Sequence, residues 1–186
     1  MHELSELYKT QMKVVALQEI RWAGNGVISK NDFQLFYSGT QQSRKAGMRF
    51  YVKKEIAKYI IGFEAVNEKI CKLRIKGKYR NITIILGDLN AKLGREEIYS
   101  NISGKYTLHN VTSPNGELLV EFIIANNMVI MSTQFQHKEI HKGTWRAAEH
   151  NTVNQIDHVI INASKKDLTE DVRTMREPNL DSDLPC

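Results

Sequence analysis

Asp88 and Asn90 stand two residues apart in Gly87-Asp88-Leu89-Asn90, directly after the unbroken β-branched and aliphatic run Ile82, Thr83, Ile84, Ile85 and Leu86. An ionised Asp offers hard oxygens to a divalent cation or accepts a proton from an attacking water, and an Asn holds a phosphate oxygen without repelling it. Phosphoryl chemistry needs both close together. If strand geometry persists through Asn90, the spacing puts the two side chains on one side at the carboxyl end of a strand. The simpler alternative is a turn, since Gly, Asp and Asn are the commonest turn formers.

Other residues able to do chemistry are scattered along the chain. Glu19 follows the apolar run Val14–Leu17, although a Glu beside Arg21 also reads as a surface ion pair. Asp157 and His158 open the strand-like run 155–161 and, as neighbours in a strand, point to opposite faces. Asp157 reads as a turn or orienting residue. His137 and His141 are four apart without the HExxH arrangement, which favours a surface loop over zinc. Trp145, after Gly143 and Thr144, reads as a packed aromatic, and the tail carries Asp181, Ser182 and Asp183.

The elements that must position these residues follow from periodicity. Residues 3–13 place Leu4, Leu7, Tyr8 and Met12 on one helical face. Residues 32–37 and 48–52 alternate as a hairpin around a polar turn at 41–47. Cys71, Leu73 and Ile75 share a strand face, and a basic turn at 77–80 leads into the central run. Ser113 and Pro114 predict the cap and first turn of a helix to about Asn126, with Leu118, Leu119, Phe122, Ile123 and Ala125 available for burial. Residues 128–135 return as a strand. The run is long, apolar and uninterrupted at 82–86, so that strand is expected to be covered on both faces.

With 186 residues, 41% of them hydrophobic, and no Pro/Gly/Ser-rich linker, the chain reads as one domain, residues 1–186. Its net charge of +5 permits an anionic partner. Lys69, Lys72, Arg74, Lys76, Lys78 and Arg80 form the densest positive cluster, read as a solvated strand face because only Tyr79 is interleaved as an aromatic. Cys71 and Cys186 make no disulfide framework. With no signal peptide or long apolar span, the expected location is intracellular, nuclear or cytoplasmic, without membrane association.

Taken in order, Leu17-Gln18-Glu19-Ile20-Arg21-Trp22, Gly87-Asp88-Leu89-Asn90-Ala91, Gly143-Thr144-Trp145, Gln155-Ile156-Asp157-His158 and Asp181-Ser182-Asp183 resemble the endonuclease/exonuclease/phosphatase superfamily. The spacing is most similar to the endonuclease domains of LINE-type retrotransposons and to craniofacial development protein 2-like proteins. The resemblance implies an α/β fold, a deoxyribonuclease-like sandwich of two mixed β-sheets flanked by helices. It also implies a metal-dependent nuclease that hydrolyses one phosphodiester bond, acting on nucleic acid with DNA favoured over RNA. By motif, Glu19 would bind Mg²⁺ or Mn²⁺, Asp88 would position or deprotonate the attacking water and Asn90 would hold the scissile phosphate. Asp157 would orient a catalytic histidine, Asp183 would lie beside the metal or that histidine, and Thr144 and Trp145 would support the site and its nucleic-acid face.

Three departures from the family pattern set further expectations. The chain is expected to lack the first family strand, and one continuous run stands where the family has a strand, a helix and a second strand between Arg80 and Gly87. Asp183 is followed by Leu184 where the family has a histidine and a closing strand. An incomplete sandwich with weak or absent hydrolase activity is therefore expected. A non-catalytic nucleic-acid-binding relic and a retrotransposon-derived, pseudogene-like fragment are the alternatives.

Overall fold

The computed structural model describes residues 12–17, 23–39, 47–147 and 152–174. Four strands build the first sheet: Val14–Leu17 (β1), Asn25–Ser29 (β2), Phe33–Gly39 (β3) and Gly47–Lys53 (β4), in the order β1-β4-β3-β2; only β2 alternates in burial, and β4 is buried on both faces. The expected hairpin is present, since β3 and β4 pair antiparallel from Phe33 opposite Lys53 to Gly39 opposite Gly47. The helix expected at 3–13 lies outside the described residues except for Met12 and Lys13. Lys13 instead continues the line of β1, its carbonyl accepting the Lys53 N–H at 2.9 Å.

A single helical turn, Lys54–Ala57 (α1), leads to the second sheet. Its strands are Ile60–Asn67 (β5), Ile70–Ile75 (β6) and Ile82–Asp88 (β7), followed after the short helix Ser100–Ser103 (α2) and the helix Pro114–Ala125 (α3) by Met128–Ile130 (β8). A two-residue ribbon of Trp145–Arg146 (β9) and Val153–Asn154 (β10) precedes the last strand, Asp157–Asn162 (β11). The sheet order is β5-β6-β7-β11-β8.

The architecture is α/β, with two antiparallel sheets facing each other and few helices. Every strand pairing among the described residues is antiparallel, which corrects the expectation of mixed sheets. The cause is local. Only residues 76–81 join β6 to β7, enough for a hairpin, whereas parallel neighbours need a crossover of a dozen residues or more.

Phe36, Met48, Phe50 and Val52 of the first sheet meet Cys71, Leu73, Ile75 and Leu86 of the second in one buried core. Leu119, Val120 and Ile123 of α3 pack with Ile130 and Ile160 on the second sheet's other face. β7 therefore contributes Leu86 to the first core and Ile85 to the second, which is why its sequence lacks a polar side.

Ser113 caps α3 by accepting the Gly116 N–H at 3.2 Å, with Pro114 in the first turn as expected. The buried stripe is Gly116, Leu119, Val120 and Ile123, an i, i+3, i+4, i+7 pattern. Leu118 and Phe122, expected in the core, are 63% and 44% exposed, and Ala125 is exposed too. The strand expected at 128–135 stops at Ile130, and a turn closed by the Gln134 N–H on the Met131 carbonyl follows. No helix among the described residues is long and apolar enough to cross a membrane.

Candidate active site

Asp88 is the last residue of β7 and Asp157 the first of β11, and the two are direct partners in the antiparallel ladder. Directly opposed residues point to the same face, so both carboxylates stand side by side at one end of the sheet. Lys69, at the mouth of the β5–β6 turn, reaches them: its Nζ lies 2.9 Å from Asp88 Oδ2, and its carbonyl accepts the Asp88 N–H at 2.9 Å. The hydrogen bond to Asp88 and then its charge hold the Lys69 ammonium above the ordinary lysine range against slight desolvation, with smaller help from Glu68 and Asp157. The sequence placed Lys69 in a solvated basic cluster and missed it here. Its alternation with buried Cys71 and Leu73 could not reveal that the turn aims it at Asp88.

Thr144 fixes the approach to β11. Its Oγ1 accepts the N–H groups of Ile156 at 3.0 Å and Asp157 at 3.1 Å, while its own N–H donates to the Asn154 carbonyl at 2.8 Å. Asp157 is buried beneath this clamp. Trp145, expected as a packed aromatic, is instead 45% exposed, because it stands on the β9–β10 ribbon outside both cores.

Strand geometry does not persist to Asn90. Leu89 donates to the Ile156 carbonyl at 3.2 Å, and the chain then turns with Asn90 at φ +47°, a left-handed conformation that Asn tolerates. The period-two argument for Asp88 and Asn90 therefore fails. What joins them is a tight turn, in which the Asn90 N–H meets Asp88 Oδ1 at 3.3 Å. Asn115 at the start of α3 donates to the Asn90 carbonyl at 3.1 Å. Ser113 Oγ also accepts the Lys92 N–H at 3.1 Å, and a Cβ on Gly116 would collide with the Lys92 carbonyl, so glycine lets the helix press against this loop.

His158 points away from the carboxylates, as its position in the strand requires. It is fully buried, with Nε2 donating to the Ala91 carbonyl at 2.8 Å, so Nδ1 accepts from Ser132 Oγ at 2.7 Å. Burial pushes its pKa down to about 4; the Ala91 bond opposes this and nearby His109 adds to it. Gln155 ties the layer together, accepting from Leu108 N at 3.1 Å and donating from Nε2 to the Ser132 carbonyl at 3.0 Å. Its backbone N–H donates to His109 Nε2 at 3.1 Å. Burial first, then the Lys92 charge, keeps His109 below the usual histidine value. His137 pairs with Asp171 and His141 with the Thr174 carbonyl.

Mg²⁺ uses one or two carboxylates and fills its shell with water and substrate oxygens. Asp88 and Asp157 supply donors of that chemistry, with the Lys69 ammonium already on one of them. No three His, Cys, Asp or Glu side chains converge for a metal among the described residues, and Glu19 and Asp183 lie outside that set.

No family model matches the chain. It is similar to craniofacial development protein 2 of Bos taurus, with 25% identity over 214 residues that cover 96% of this chain and 36% of that protein. The protein of the same name from Tragulus javanicus is also 25% identical over 214 residues, covering 96% of this chain and 37% of its own length. Both matches are longer than the 186-residue chain, so the relatives carry internal residues with no counterpart here. The chain spans little more than a third of the length of these curated relatives.

Proposed function

We propose that the Asp88–Asp157 site is a reduced phosphodiester-hydrolysing centre of the endonuclease/exonuclease/phosphatase type, descended from a metal-dependent DNA endonuclease and weak or inactive in this chain. The observation that carries this reading is the in-register pairing of Asp88 with Asp157, which joins two motifs far apart in sequence at one sheet end. Asp88 would orient or deprotonate a water, and Asn90, in the adjoining turn, would hold a phosphate oxygen. Thr144 would keep Asp157 in place through the backbone N–H groups it accepts. A bound Mg²⁺ or Mn²⁺, for which the motif resemblance assigns Glu19 and Asp183 as ligands, would supply positive charge for the phosphate under attack. Leu184 cannot donate a hydrogen bond where a histidine would, which removes about three decades of rate.

A second reading is nucleic-acid binding without hydrolysis. It is favoured by the Lys69–Asp88 pair, which occupies the carboxylate assigned to the water. Nicking of supercoiled plasmid, with and without Mg²⁺, separates the two readings. Mg²⁺-dependent nicking by the unaltered chain or by Leu184→His, abolished by Asp88→Ala, supports a hydrolytic site. No nicking by any variant, with salt-sensitive DNA binding that survives Asp88→Ala, supports binding alone.

A further inference from the structure

Apart from Arg74, exposed in mid-strand, the positive cluster along β6 is two populations. Lys69 is paired with Asp88 and Lys72 with Glu64, the latter in close contact. Lys76, Lys78 and Arg80, further along at the β6–β7 turn, are exposed, and among the described residues none is in an ion pair. The topology then adds what the linear sequence lacked. β5 begins beside this turn, with the Lys76 N–H donating to the Tyr59 carbonyl at 2.7 Å, which brings Lys58 and Tyr59 to the same pole.

Two rings and four cations thus share one end of the second sheet. Tyr79 is 83% exposed and Tyr59 44%, so Tyr79 in particular adds little to either core. Lys58 Nζ and Lys78 Nζ each lie 5.1 Å from the centroid of the neighbouring tyrosine ring. The turn is tight: a Cβ on Gly77 would run into the Arg80 carbonyl, so the backbone holds Lys78 and Tyr79 at the tip. Exposed tyrosines interleaved with cations that stand outside any ion pair suit stacked bases and the phosphates between them, a base taking the place of the lysine over the ring, and duplex bases do not offer their faces.

We propose that this pole, made by Lys58, Tyr59, Lys76, Lys78, Tyr79 and Arg80, binds single-stranded polynucleotide. It lies at the opposite end of the seven-residue strand β7 from Asp88, about 20 Å away at strand rise. Binding here does not depend on the carboxylate chemistry, and the two can fail separately.

Fluorescence anisotropy of the full chain tests the proposal with labelled single-stranded DNA, single-stranded RNA of the same sequence and the corresponding DNA duplex, each of about 12 nucleotides or base pairs. Tighter binding of either single strand than of the duplex is expected, and the DNA and RNA arms identify which polymer is the ligand. Tyr59→Leu combined with Tyr79→Leu, both at exposed positions, should weaken binding at least about tenfold with little change in salt dependence. Lys78→Gln with Arg80→Gln should flatten the slope of log affinity against log salt by about 1.4. Asp88→Ala should leave binding intact. Equal affinity in the double tyrosine variant, duplex binding as tight as single-strand binding, or no binding by the unaltered chain would each overturn the proposal.

Discussion

Lys69 holds Asp88 through a 2.9 Å ion pair while Asp157 stands directly across the ladder. An ammonium and a divalent cation compete for the same oxygens, so the lysine acts as a resident counter-ion for the carboxylate pair. Lys69→Met is expected to raise Mn²⁺ affinity several-fold, measured by calorimetric titration. The Lys69 side chain is 50% exposed, so its loss should change folding stability by no more than about 1 kcal/mol. Unchanged Mn²⁺ affinity in the variant would rule out the competition.

Thr144→Val keeps the volume and removes the oxygen that accepts from Ile156 and Asp157. The Asp157 N–H then lies in a buried position with that acceptor gone, at a cost of about 2 kcal/mol. Thr144→Ser should restore most of it. Urea melts of the three chains make the comparison, and equal midpoints for Val and Thr would mean that the hydroxyl does not support β11.

Much of the scaffold was legible because one signal decided each element: the hairpin by alternation, β7 by its unbroken apolar run, α3 by Ser113 and Pro114. The losses came where tertiary contact outranks local pattern. Nothing in Leu118 or Phe122 distinguishes them from Leu119 and Ile123, and tertiary contacts, among them the close approach of Gly116 to the Lys92 carbonyl and the Asn115 bond to the Asn90 carbonyl, fix which stripe faces the sheet. In the site, the motif order pointed to Asp88 and Asp157, and their adjacency follows from strand pairing. The sequence leaves the Asn90 geometry open, because a strand end and a left-handed turn share the same letters, and the structure takes the turn. Lys69 and Tyr59 gain their places from turns and strand order, which periodicity does not encode.

The stripe on α3 makes a quantitative contrast. Ile123 is fully buried among residues of β8 and β11, so Ile123→Ala should cost about 3 kcal/mol through lost transfer energy and the cavity left behind. Phe122→Ala, at a half-exposed position beside it, should cost less than about 1 kcal/mol. Similar losses for the two in chemical denaturation would place the helix in a different rotation.

Stability should fall in mild acid because of His158. Its folded-state pKa is about 4 against an ordinary value near 6.5, the imidazole being buried neutral between Ser132 and Ala91. Above pH 6.5 it is neutral folded and unfolded, and it adds no pH dependence. As pH drops from 6.5 to 4 the unfolded chain takes up a proton that the folded chain refuses, so stability declines, by about 3 kcal/mol in total, and levels off once the folded form protonates. His109, lowered in the same direction, adds to the slope over the upper part of that range. His158→Gln keeps a neutral hydrogen-bonding group and removes the titration, so subtracting its stability–pH curve from that of the unaltered chain cancels the carboxylates. A difference that is constant between pH 4 and 6.5 would mean that His158 is not the acid-sensitive group.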